Sequence, residues 1–220
     1  MFIIAAMLVN FSANAQKKFT YGIKGGVNVA EITNLWSNNE NQNEIVFEGM
    51  DQKVFPVVGV FAEWRLASFF AVAPELLYSG QGVGAPTQST SILDGLLKID
   101  SKMSLSYINV PVMLKLYPFK WLSVDMGPQA GFLVAAKTKF KAKVEVGGET
   151  TTETETIDSK SYMKTMDFSV GVGLTFNFSK HIFFQPRYNI GLSEILKNPS
   201  DLNDDKHNNR VIQFSFGYRL

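Results

Sequence analysis

Few residues of this chain have the chemistry of a reactive site. There is no cysteine, so thiolate nucleophiles, disulfides and thiolate metal sites are excluded. Two histidines are present. His181 follows Ser179 and Lys180 in a short polar turn, and His207 lies in a polar segment with Asp201, Asp204 and Asp205. A histidine with a serine and an aspartate has the composition of a nucleophilic triad, but loop residues are polar in any case, and composition alone gives no triad geometry. Asp201, Asn203 and Asp205 begin like a calcium loop, yet Lys206 stands where the sharp turn needs glycine. The glycines at 22–26 and 171–173 are not dinucleotide fingerprints, because no crossover helix follows them. The expectation is therefore no catalytic residue, no metal and no cofactor.

A second group of charged residues is more regular. Lys24, Arg65, Lys115, Arg187 and Arg219 balance Glu63, Glu75, Asp125 and Asp167. Each sits in a segment whose apolar residues recur at every second position. That period means β-strand, since successive side chains point to opposite faces. From Leu105 to Val134 the pattern is longest: Ile108, Val110, Val112, Leu114 and Leu116, then, after Pro118-Phe119-Lys120, Leu122, Val124, Met126, Pro128, Ala130 and Phe132. Ser123, Asp125, Gly127, Gln129 and Gly131 alternate with the second set.

The same alternation predicts eight strands. They start near Phe19, Pro56, Phe70, Leu105, Leu122, Met166, Ile182 and Ile212. Long polar connections alternate with short turns, so all long loops fall at one end and all short turns at the other. Residues 92–99 read as a short helix within one long connection. Residues 135–164 read as a polar hairpin continuing the strands beyond the apolar zone, with Gly147-Gly148 at its tip. Its register stays open. A strict two-residue turn sets Lys137, Lys139, Lys141 and Lys143 opposite threonine; an offset of one brings them opposite Glu153 and Glu155.

Two barrels share this period. A soluble barrel of the lipocalin type buries its apolar face, whereas a transmembrane barrel turns it to lipid. Here the polar face is crowded with Gly22, Gly26, Gly59, Gly127, Gly131, Gly171, Gly173, Gly191 and Gly217, which suit a narrow interior. The bulky Phe, Leu, Val and Trp of the other face overfill an eight-stranded lumen. Lipid on the outside then requires closure, because every backbone group must pair within the sheet. The fold expected is an all-β, eight-stranded antiparallel up-and-down transmembrane barrel with long external loops and short periplasmic turns. Tyr21, Trp64, Phe70, Tyr78, Trp121, Phe178, Phe184 and Tyr218 fit aromatic girdles. The nine charged residues face the lumen, where they are expected to pair as a structural filling; an ion or proton path is the alternative. Pro74, Pro111, Pro128 and Pro186 fall inside strands and cannot donate to a ladder.

The chain has 220 residues, enough for one all-β domain, with 45% hydrophobic and 19% charged residues. Its formal net charge of +1 gives no electrostatic case for nucleic acid. No segment reaches the ~18 consecutive apolar residues of a membrane helix. Residues 1–15 read as a signal peptide: an apolar run from Phe2 to Val9, then Ala13-Asn14-Ala15 as a small-x-small cleavage site, with the barrel domain at 16–220. A basic n-region is missing, and a buried N-terminal strand is the alternative.

Several stretches resemble the PorT-like outer-membrane β-barrel family of Bacteroidota. They are Tyr107-Ile-Asn-Val-Pro-Val-Met-Leu-Lys115, Gly127-Pro-Gln-Ala-Gly-Phe-Leu133, Asp167-Phe-Ser-Val-Gly-Val-Gly173, Arg187-Tyr-Asn-Ile-Gly-Leu192 and the opening Gly22-Ile-Lys-Gly-Gly-Val-Asn28. The resemblance covers essentially the whole mature chain and implies a barrel in the outer membrane. It also implies a possible link to type IX protein secretion, in which the family's namesake takes part. Three functions follow as expectations: a non-enzymatic anchor or interaction platform, an accessory subunit of a secretion or uptake machine, and a lipid-modifying barrel enzyme. The partners expected are outer-membrane lipids, and proteins reached through external loops or periplasmic turns.

Overall fold

The computed structural model describes residues 19–32, 53–84, 88–92, 95–146, 149–195 and 208–220. They form ten strands: β1 (Phe19–Ile32), β2 (Lys53–Ala67), β3 (Phe70–Gly84), β4 (Gln88–Ile92), β5 (Gly95–Phe119), β6 (Leu122–Val146), β7 (Glu149–Asp158), β8 (Met166–Asn177), β9 (Ile182–Gly191) and β10 (Asn209–Arg219). A single 3-10 turn spans Lys160–Tyr162. Eight strands close a ring in the order β5-β3-β2-β1-β10-β9-β8-β6, with β6 returning to β5. All pairings are antiparallel, and β1 meets β10, so the barrel is of the up-and-down type. The signal-peptide reading at 1–15, the triad and calcium readings at 201–207 and Gly147-Gly148 lie outside the described residues.

Alternation decides which way each side chain points. Along β1, Tyr21, Ile23 and Val27 are exposed while Gly22, Lys24 and Asn28 are buried. Along β5, Val110, Val112, Leu114 and Leu116 face out, and Asn109, Met113 and Lys115 face in. The exterior is thus a belt of exposed aliphatic and aromatic residues. Near the short-turn end, Phe119 stacks on Trp121 at 5.6 Å and His181 stacks on Tyr218 at 5.6 Å.

Pro74, Pro111, Pro128 and Pro186 each face a lapse in one ladder and keep their other neighbour. The β2–β3 pairing skips Ala62 and Glu63 opposite Pro74, while Pro74 still pairs with Val112. Pro111 faces the break between β5 and β3 and pairs with Gln129. Pro128 pairs with Val170 on β8 where the β5 ladder is interrupted, and Pro186 pairs with Phe214 where the β8 ladder is. The missing N–H thus costs one ladder locally, not the strand.

The strands rise further than the alternating apolar pattern predicts. β5 and β6 each have 25 residues, or about 80 Å at ~3.3 Å per residue, far more than a tilted crossing needs. Their upper halves leave the ring and pair with β4 and β7 to make a four-stranded external sheet. Residues 92–99 are therefore not a helix. β4 ends at Ile92 and β5 starts at Gly95, and residues 95–99 pair with β4 as strand. The apolar residues that suggested a helix, Leu97 and Ile99, alternate along a strand instead. Val146 pairs with Glu149, which sets Lys139, Lys141 and Lys143 opposite Thr156, Thr154 and Thr152.

One residue changes the phase of β6. Tyr107 pairs with Leu133 but Ser106 with Ala135, so Val134 is an extra residue on the β6 side. Such a bulge shifts every later side chain to the other face. The ammonium of Lys160 donates to the Val134 carbonyl at 3.0 Å.

Candidate functional site

The lumen holds the densest polar chemistry of the molecule. At its centre the Glu75 carboxylate on β3 accepts from Arg187 on β9 through two parallel bonds, Nη1 to Oε2 at 2.9 Å and Nη2 to Oε1 at 2.7 Å. The Lys24 ammonium on β1 donates to the same Oε2 at 2.7 Å and to Gln185 Oε1 at 2.9 Å. Gln185 passes the network on: its Nε2 donates to Asp125 Oδ2 at 2.7 Å. Asp125 also accepts from Ser123 at 2.7 Å and from the Thr175 hydroxyl. Lys115 stands between two carboxylates, 3.7 Å from Asp125 and 3.5 Å from Glu63.

Glu63 anchors the end nearest the short turns. It accepts from the Tyr117 hydroxyl at 2.7 Å and from Arg65 at 3.2 Å, and lies 3.9 Å from Arg219. Arg219 also donates to Asn177 at 2.7 Å. Arg65 is the most exposed member, with its side chain 41% accessible and its guanidinium 4.1 Å from the Tyr117 ring centre. Eight of the nine charged residues anticipated for the lumen therefore join one connected set. Asp167 stands apart. It accepts from Ser193 at 2.6 Å and from Asn209 at 3.0 Å, near the opposite end, and pairs with no cation among the described residues. These partners satisfy it because Ser193, just past the end of β9, and Asn209, the first residue of β10, lie beside it.

The interior is less purely polar than the alternating pattern implies. Phe61 and Phe183 point inward and meet edge to face at 5.3 Å and 84°. Each lies directly opposite a glycine across its ladder, Phe61 beside Gly22 and Phe183 beside Gly217. A Cβ on Gly217 would come 2.0 Å from the Phe183 ring, so the ring occupies the room the glycine leaves. The Arg219 guanidinium lies over that same ring at 4.5 Å. Parity along β2 and β9 identifies these two phenylalanines as inward; hydropathy alone points them to lipid. Gln185 and Tyr117 also share faces with charged positions, which is the signal that marks them.

Above the charged set, Asn28 donates to Ser79 at 2.9 Å and Gln129 to Ser169 at 3.1 Å. Higher still the packing is apolar. Val83, Leu105, Tyr107, Leu133 and Ala136 from the wall surround Met163 and Ile195. The segment bearing Met163 is tied down by backbone bonds from Lys164 to Ile195, from Leu133 to Thr165 and from Ser159 to Ala136. This apolar cluster lies above the crossed ion pairs, which brace the barrel interior.

His181 does not form a triad among the described residues. Its Nδ1 lies 3.0 Å from the Arg219 carbonyl, and its ring stacks on Tyr218. Among the described residues no cluster of three His, Asp or Glu has the spacing of a metal site.

A family profile described as "Outer membrane protein beta-barrel domain" matches residues 12–197. The chain belongs to this family. Its place is the outer membrane, and the exposed apolar belt is the surface that meets lipid. Among solved structures the barrel is similar to Ail, the attachment invasion locus protein of Yersinia pestis, at 13% identity and a TM-score of 0.43, covering 92% of this chain and 99% of that one. It is similar to CarO of Acinetobacter baumannii at 13% identity and 0.42, covering 89% and 97%. OprG of Pseudomonas aeruginosa gives 14% and 0.37, covering 92% and 96%. No curated protein sequence matches the chain.

Proposed function

We propose that this outer-membrane barrel is a non-enzymatic anchor and interaction platform. The observation that carries the reading is the brace across its lumen, Glu75 to Arg187, under an apolar plug. An interior filled in this way holds the wall together and leaves the external sheet as the working surface. In that sheet β4 and β7 are the terminal strands, so their outer edges are unpaired among the described residues. Unpaired edges are where a partner adds a strand.

The second reading is an accessory subunit of a type IX-like secretion or uptake machine. It is favoured by the PorT-like strand motifs, from Gly22 to Asn28 and from Tyr107 to Lys115. It places the working contacts at the short periplasmic turns. A lipid-modifying enzyme that uses an external histidine with serine and aspartate is the third reading; its candidate, His207, lies outside the described residues. Lipid A of identical mass with and without the gene would remove it. The mature chain is proposed to begin at Gln16.

One experiment separates the first two readings. The barrel is extracted from native membranes in mild detergent, with and without residues 139–156 replaced by a tight turn. Loss of a co-extracted protein with the hairpin supports the platform. A complex that survives the excision supports the accessory role at the periplasmic end.

A further inference from the structure

The external sheet is strongly two-faced, and the bulge at Val134 decides which face is which. Below it, odd-numbered residues of β6 point inward; above it Ala136 is buried and Lys137 exposed. β5 carries no such interruption. The outward face of β5 is therefore continuous from Leu116 and Val112 up to Lys102, Asp100 and Lys98. On β6 the same outer face carries Phe132 and Val134 and, just above them, Lys137, Lys139, Lys141 and Lys143. The inward face of the sheet instead holds Leu97, Ile99, Phe140, Val144 and Ile157. Without the extra residue, the four lysines of β6 would point over the barrel mouth.

Six lysines thus share one outward surface with Asp100, Glu145 and Asp158. Two lysine pairs stand directly across the ladder, Lys98 opposite Lys143 and Lys102 opposite Lys139. Like charges placed so are destabilising unless an anion lies between them. Asp100 faces Lys141 and Asp158 faces Lys137, whereas Lys139 and Lys143 face only lysine on β5 and threonine on β7. Lys98 bonds Glu145 at 3.3 Å, and Lys102 covers the Phe55 ring at 4.8 Å. No ion pair joins Lys137, Lys139, Lys141 or Lys143 to another described residue. On the neighbouring strand, exposed Thr152, Thr154 and Thr156 stand opposite Lys143, Lys141 and Lys139, adding hydroxyl donors at each step.

We propose that this outward face of the external sheet seats the phosphate groups of the lipid that surrounds the barrel. Its position selects the lipid. The lysines begin three residues above Val134, on the same outer surface as the lipid-facing Phe132 and Val134. Successive lysines along β6 are ~7 Å apart, and facing strands ~5 Å apart. One phosphate can therefore bridge two ammonium groups and accept from a threonine. Clusters of basic residues beside a membrane surface attract anionic headgroups in this way. Phosphate so bound also neutralises the facing lysine pairs, and it fixes the height and tilt of the external sheet over the bilayer.

The test uses the whole barrel in nanodiscs of phosphatidylcholine, with and without diphosphoryl lipid A. Amine acetylation at each lysine is read by mass spectrometry. The expected result is a severalfold fall in reactivity at Lys137, Lys139, Lys141 and Lys143 in the lipid A discs. High salt, which shortens screening to a few ångströms, should restore reactivity. Native mass spectrometry should show fewer retained lipid A molecules for the quadruple Lys→Gln variant, or for K139Q/K143Q if the quadruple variant does not assemble. Equal reactivity in both discs overturns the proposal. So does protection by inorganic phosphate or a soluble sulfated glycan in phosphatidylcholine discs when lipid A protects nothing, since that assigns the face to a soluble anion.

Discussion

Arg187 grips Glu75 across the full width of the barrel: β3 and β9 are four strands apart in either direction around the eight-stranded ring. A bidentate bond along a diameter fixes the two walls at one separation and fills the axis. Lys24 joins from β1, so three strands meet at one carboxylate.

Removing that carboxylate leaves two buried cations without an anion. Glu75→Gln is expected to destabilise the folded barrel by about 3–5 kcal/mol. Urea unfolding followed by gel shift in lipid vesicles measures it. The triple variant K24M/E75L/R187M is expected to recover most of the loss, because apolar replacement of a whole buried ion set is often neutral. A Glu75→Gln barrel as stable as the parent would show that the clamp contributes nothing.

The lipid face responds to charge, not to the loss of a partner. Val172 is 42% exposed on that face, beside Met126 and Tyr188. Val172→Arg is expected to cost about 2–4 kcal/mol at mid-membrane. The same unfolding assay reads it, and a neutral result would contradict the outward assignment of Val172. Arginine at the buried lumen position Ser169 on the same strand acts by crowding instead.

The glycine beside Phe183 is a matter of volume. Gly217→Ala is expected to destabilise by about 1–3 kcal/mol, as overpacking does, since its methyl group would meet the ring. Adding Phe183→Leu should return part of that loss. If Phe183→Leu makes no difference in the Gly217→Ala background, the ring is not what the glycine accommodates.

A braced and plugged lumen should not conduct. In planar bilayers the purified barrel is expected to give no steady single-channel current. The double variant M163A/I195A, which thins the plug, should stay closed because the ion pairs below it remain. Large persistent openings of the parent would refute the filled interior.

Much of this architecture is local and therefore readable along the chain. A strand turns successive side chains to opposite faces whatever it pairs with. Ile23, Val112 and Val172 outside, and Lys24, Lys115 and Asp125 inside, follow from position alone. The order of strands follows from short turns, which force chain neighbours to become sheet neighbours. Partners across the lumen are a different matter. Glu75 and Arg187 are 112 residues apart, and they meet only because closure of β1 on β10 brings opposite walls within reach. Ring closure also sends Asp167 to Ser193 and Asn209 and away from the ion pairs. Phe61 and Phe183 turn inward against their hydropathy because Gly22 and Gly217 face them. At residues 92–99 local propensity favours a helix, yet pairing with β4 and β6 makes a strand there. The phase of Lys137 to Lys143 depended on a single extra residue at Val134. A period-two pattern cannot register that shift until the partner strand fixes which residues stand opposite one another.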